Sequence, residues 1–156
     1  LCLKYGKDGI KMIVILCLDD NNGMMFNHRR QSRDQAVVLD IALMSKGSRL
    51  SMKEYSFKMF ADLELENVFI SSEVMQQAEE SDYCFVEDMG VLAYLEKIEQ
   101  LIIYKWNRKY PADFYLDITL EKGWELSEIK EFVGTSHEKI TKEIYIKCEN
   151  YIGYLS

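Results

Sequence analysis

Histidine is scarce in this chain: His28 and His137 are the only two among 156 residues. Neither has a second ligand at metal spacing, which argues against a metal centre built from clustered imidazoles. Proline is rarer still, with Pro111 alone in a turn between two late strands. No apolar run approaches the roughly 18 to 20 residues that a membrane-spanning helix needs. Residues 1–11, LCLKYGKDGIK, lack the long apolar centre of a signal peptide. No low-complexity segment and no internal repeat is visible. Cations are outnumbered, 19 Lys and Arg against 26 Asp and Glu, and the net charge of −7 repels nucleic acid and anionic membranes as non-specific partners. The four cysteines, Cys2, Cys17, Cys84 and Cys148, lie far apart. Cys17 and Cys84 fall inside predicted buried strands, where a free thiol behaves as a small hydrophobe, so a reducing cytoplasmic compartment is expected.

What is present reads as one folded domain. Hydrophobic residues make up 48% of the chain, enough for a single core at this length. Met12–Leu18 (MIVILCL) is a continuous apolar run, the pattern of a strand covered on both faces. Because Met12 opens that strand, the domain is expected over 12–147, with residues 1–11 a leader or upstream start and 148–156 a tail. DDNNG at 19–23 is turn chemistry. A helix is predicted from Ser32, as cap, to Met44, and shorter helices over 54–60, 72–78 and 91–98. Strands are predicted over 49–52, 67–70, 82–87 and 99–106. The final third alternates: DFYLDIT from 113, then 124–133 and 140–147. Buried strands alternating with helices, then alternating strands, predict an α/β fold. Its mostly parallel central sheet has flanking helices and a C-terminal antiparallel hairpin.

This order resembles the dihydrofolate reductase family in shortened form, over most of 12–147. IVILCLDDNNGMMFN resembles that family's first strand and following loop, and CFVEDMGVLAYLEKIEQLIIYKW its strand, turn, helix and strand around the nicotinamide cofactor. YPADFYLDI, WEL and IYIK resemble its closing segment. The resemblance implies that Asp34 stands where the family's helix carries the acid that hydrogen-bonds the pterin ring. Departures accompany it. Two glycines follow the cofactor strand in those reductases, where backbone approaches the dinucleotide and a helix N-terminus faces its phosphates. Glu87 and Asp88 stand there in this chain, and Ser51-Met52-Lys53-Glu54 replaces a Gly-Arg-x-Thr phosphate contact. Carboxylates repel a polyanion, so no NADPH, and no other cofactor, is expected. FNHRRQSRD, CFVE, YKWNRKYPAD and SHEKIT also resemble a family of small proteins from anaerobic Firmicutes often labelled ribonuclease Z. That label conflicts with chemistry, since ribonuclease Z requires a histidine-rich di-zinc site. The resemblance implies a fold and no reaction.

Several constellations have two readings. His28, Arg29, Arg30 and Arg33, with Asn27, Gln31 and Ser32 beside them, make an anion site or a solvated loop balancing Asp19, Asp20 and Asp34. Asp34 is a cleft acid for a heterocycle, or a first-turn acid favoured by the helix dipole. Glu87 and Asp88 end a central strand, a place that serves function in open α/β sheets, and they could replace the cofactor contact. Trp106, Asn107, Arg108 and Tyr110 mix aromatics with cations, as a protein-partner surface or as packing. Ser136-His137-Glu138 lacks a glycine elbow for a serine nucleophile and is expected on a surface loop. The reading carried forward is a reductase-like cleft binding a small anionic or heterocyclic ligand; the alternative is a non-catalytic interaction module with a vestigial cleft.

Overall fold

The computed structural model describes residues 9–148. Ten strands and two α-helices alternate along them: β1 (Met12–Leu18), β2 (Gly23–Phe26), β3 (Arg29–Arg30), α1 (Gln35–Met44), β4 (Leu50–Met52), α2 (Glu54–Phe57), β5 (Val68–Ile70), β6 (Tyr83–Phe85), β7 (Ile98–Lys105), β8 (Phe114–Tyr115), β9 (Trp124–Phe132) and β10 (Ile140–Lys147). Seven strands form one sheet in the order β5-β4-β6-β1-β7-β10-β9. β1 pairs in parallel with β6 and β7, and β4 with β5 and β6, while β10 runs antiparallel to both β7 and β9. The parallel sheet closed by an antiparallel hairpin is therefore as expected.

Strand β1 explains its own composition. Met12, Val14, Leu16 and Leu18 enter one apolar layer with Val74, Met75 and Leu95. Ile15 enters the other, with Val37, Val38 and Ile41 of α1. Both faces are covered, so no polar residue alternates along it. Ile10, from the expected leader, packs against the first layer, and residues 1–8 and 149–156 lie outside the described residues. Helix α1 starts two residues later than predicted. Its cap is Asp34, whose Oδ1 accepts from the Ala36 N–H, and Ser32 lies outside the helix. Leu39 and Leu43 face solvent, which is why its apolar spacing is imperfect. Residues 72–78 form turns rather than a helix, and Leu92–Lys97 is a 3-10 helix.

A second sheet, β3-β2-β8, was not anticipated. Strands β2 and β3 form a hairpin whose two-residue turn, Asn27-His28, has φ of 52° and 61°. Paired positive φ values match the twist of tight hairpins, and Asn and His tolerate them better than branched residues. The hairpin is held to the end of β1 by Asp19. Its Oδ1 accepts the N–H groups of Asn21 and Gly23, and its Oδ2 accepts the Tyr110 N–H and the Gln31 amide. Burial alone would raise the pKa of Asp19, but these donors outweigh it and hold the carboxyl below its ordinary value.

Gly23 lets these pieces meet: a Cβ there would lie 2.7 Å from both Ala112 Cβ and Gln31 Nε2. Gly23→Ala should lower stability by about 1–3 kcal/mol through overpacking. Urea unfolding measures it, and an unchanged midpoint would show that the hairpin is not anchored in this way.

Candidate functional site

The C-terminal ends of β1 and β6 carry the first polar cluster. Glu87, the second residue past the end of β6, turns inward, its side chain 9% exposed. It accepts from Arg30 through Nε at 2.8 Å and Nη2 at 2.9 Å, and from Ser56 Oγ at 2.7 Å. Arg30 also lies over the Tyr55 ring, 4.2 Å from its centroid. A bidentate pair of this kind fixes orientation as well as charge. Burial, with the Glu87 charge adding to it, raises the pKa of the nearby Cys17 thiol far above its ordinary value. The thiol is thus a packing group, not a nucleophile. Asp88 instead points outward and pairs with Lys53 at 3.0 Å.

A second cluster centres on Asp34, 2% exposed. Besides capping α1, its Oδ1 accepts the Thr135 N–H at 2.8 Å; its Oδ2 accepts the Ser136 N–H at 2.8 Å and His137 Nδ1 at 2.9 Å. Gly134 makes the approach feasible, because a Cβ there would lie 2.5 Å from Asp34 Oδ2. Burial pushes the carboxyl pKa up, but His137 and the three backbone donors prevail and hold it near 2. An aspartate oxygen can only accept here, so Nδ1 of His137 carries the proton and Nε2 is an acceptor in the neutral ring. Nε2 faces Tyr110 Oη at 2.9 Å and Ser32 Oγ at 3.1 Å, and the Tyr110 hydroxyl donates to Ser32 Oγ at 3.2 Å. Trp106 stacks on the imidazole, with centroids 4.8 Å apart and planes 19° apart.

Two hollows flank these clusters. The one beside Asp34, between α1 and the sheet, holds about 10 Å³, room for a single water. Phe85, Met59, Trp106 and Glu87 are among the side chains that line it. The other is a surface recess of about 230 Å³ lined by Phe26, Asn27, Arg29, Arg30, Gln31, Tyr110 and Pro111. Arg29 is exposed and forms no ion pair among the described residues. Gln31 Oε1 is buried with no hydrogen-bond donor among the described residues.

The residues named from the sequence therefore separate. Asn27, Arg29, Arg30 and Gln31 share the recess. Asp34 is fully engaged by protein donors and has no oxygen turned to a ligand. The basic loop does not balance Asp19, Asp20 or Asp34, since Arg30 pairs with Glu87 instead. Trp106 is 5% exposed and Tyr110 bonds inward, so the aromatic part of the expected partner surface is packing. Asn107 is spent on Lys139 O and Thr141 Oγ1, and Arg108 remains exposed. His137, placed on a surface loop from the sequence, is buried. It and Ser32 were missed as partners because nothing in local spacing links residues 32, 110 and 137. The one available signal was that FNHRRQSRD, CFVE, YKWNRKYPAD and SHEKIT all supply these two clusters. Among the described residues no group of three or more His, Cys, Asp or Glu side chains is placed to hold a metal ion. No helix among them is long and apolar enough to cross a membrane.

No protein-family model and no curated protein sequence matches the chain. Among solved structures, a dihydrofolate reductase from Enterococcus faecalis, complexed with NADP(H) and RAB-propyl, superposes with a TM-score of 0.60. The fold is the dihydrofolate reductase fold. The match covers 88% of this chain and 96% of that reductase at 12% identity, so it speaks for architecture alone.

The Asp34 carboxyl titrates near 2 in the folded protein against 3.8 ordinarily. A depressed carboxylate stabilises the fold above its unfolded pKa, and that contribution disappears as pH falls through the folded value. Asp34→Asn should cost on the order of 2 kcal/mol at neutral pH, and its deficit should shrink between about pH 4 and pH 2. Urea midpoints across that range measure this, and a deficit independent of pH would contradict the assignment.

Proposed function

We propose that this chain uses the dihydrofolate reductase fold to bind a small anionic or heterocyclic ligand, and that it does so without conventional use of NADPH. The ligand seat is the recess at the β2–β3 hairpin. Phe26, Tyr110 and Pro111 offer flat apolar walls, and Arg29 offers a guanidinium fork suited to carboxylate or phosphate. At about 230 Å³ it falls below the usual range for cofactor pockets, so the ligand is small, about one ring or a few polar groups.

The single observation that carries the cofactor half is carboxylate occupancy around the end of β6. Glu87 is locked inward by Arg30, and Asp88 stands beside it. The first N–H groups of the following 3-10 helix, from Val91 and Leu92, donate to Asp117. In reductases that this chain resembles, dinucleotide and phosphates approach this strand end and helix start. Here protein anions hold those donors already, and the residues present do not fit the cofactor.

The alternative of a protein-interaction module gains support from a different surface. Edge strand β9 leaves Leu126 and Ile129 exposed, with Val133 just beyond it, next to a backbone edge that pairs with no further strand among the described residues. The basic and aromatic segment at 106–110 lends it less, because its rings face inward.

Thermal shift separates these readings. NADPH at about 1 mM should leave Tm unchanged, whereas a native-state ligand at a hundred times its Kd adds about 2.7 kcal/mol. A panel of small carboxylates, phosphates and heterocyclic acids should contain stabilisers. Arg29→Ala should weaken them about tenfold to a hundredfold, the worth of one charged hydrogen bond. A clear NADPH shift would overturn the cofactor half, and a panel with no stabiliser dependent on Arg29 the ligand half.

A further inference from the structure

His137 does more than the fold needs. Asp34 already caps α1 and already holds the 134–137 loop through the Thr135 and Ser136 N–H groups. The imidazole adds a buried base whose protonated nitrogen is fixed by a carboxylate, whose ring is braced on Trp106, and whose Nε2 faces both the Ser32 and the Tyr110 hydroxyls. Nucleophile to base at 3.1 Å and base to orienting acid at 2.9 Å are the contacts of a serine-histidine-aspartate relay, recognised by geometry rather than by sequence order. Ser32 is half-buried, at the boundary between the core hollow and the segment that leads from Gln31 of the recess.

We propose that Ser32 is a nucleophile activated by His137, with Asp34 as positioning residue, and that this site hydrolyses esters of small acids carrying a second anionic group. The substrate's charge rests on the recess reading above; the nucleophile does not. Ser32 Oγ forms a bond to the acyl carbon while its proton passes to His137 Nε2. The imidazolium then gives that proton to the leaving-group oxygen as the carbon–oxygen bond breaks. Water repeats the sequence on the acyl-serine, releasing the acid and restoring Ser32. The Tyr110 hydroxyl donates to Ser32 Oγ at 3.2 Å and lies 2.9 Å from His137 Nε2, within reach of both the nucleophile and its base. Arg29 and Gln31 would hold the substrate's remote anionic group.

The test uses two probes on the intact protein. An uncharged fluorophosphonate should form one covalent adduct, mapped to Ser32 by peptide mass spectrometry and absent from Ser32→Ala, whose Tm should match the parent. Mono-4-nitrophenyl succinate should be hydrolysed, with kcat/KM falling at least about a hundredfold in Ser32→Ala. Tyr110→Phe should lower kcat more than it raises KM, a split that a purely structural tyrosine would not give. The proposal is overturned by no adduct, by an adduct on Tyr110 instead, or by equal hydrolysis in Ser32→Ala. The fluorophosphonate reads Ser32 without the recess, and the thermal-shift panel reads the recess without Ser32, so the two readings fail separately.

Discussion

A buried carboxylate must collect its hydrogen bonds from the protein or give up its charge, and Asp34 collects all of them from two distant segments. One is the first turn of α1, and the other is the loop before β10. This joins helix and C-terminal hairpin across the sheet, brings His137 over Trp106, and sets the imidazole tautomer. Without that clasp neither the ring of hydroxyls at Nε2 nor the closed hollow under α1 would have its present form. Asp19 plays the matching part for the hairpin, tying Gly23, Gln31 and Tyr110 together. Two aspartates thus determine where the other polar side chains meet.

The chain's acidity has a local meaning that a net charge of −7 conceals. Carboxylates from Glu87, Asp88 and Asp117 sit at the end of β6 and the start of the helix after it, where an open α/β sheet offers its donors to a ligand. Arg30, the cation best placed to answer an external anion there, is taken by Glu87. Arg29, its neighbour along a two-residue strand, is exposed, lines the same recess and forms no ion pair among the described residues.

Strands were the most legible elements. Met12–Leu18 and Ile140–Lys147 could be read to their end residues, since period and apolar run are local properties. The start of α1 could not, because Ser32 and Asp34 are both good caps and choosing between them depends on what each meets from residues 110 and 135–137. The β2–β3 hairpin was missed for a similar reason. Its turn is Asn-His rather than a glycine pair, and its partner strand β8 lies far along the chain.

The amino-acid order alone determined the alternation of buried and half-buried strands, hence a parallel sheet with an antiparallel close, and it placed Glu87 and Asp88 just past the end of a strand. Only the folded chain decided which side chains became one site. Ser32 and Asp34 lie far along the chain from Tyr110 and from His137, and hydrogen bonds of about 3 Å between these segments exist only once the sheet order has brought their loops together. Periodicity governs a residue's face on its own element, whereas contact between elements is set by packing, which no local pattern encodes.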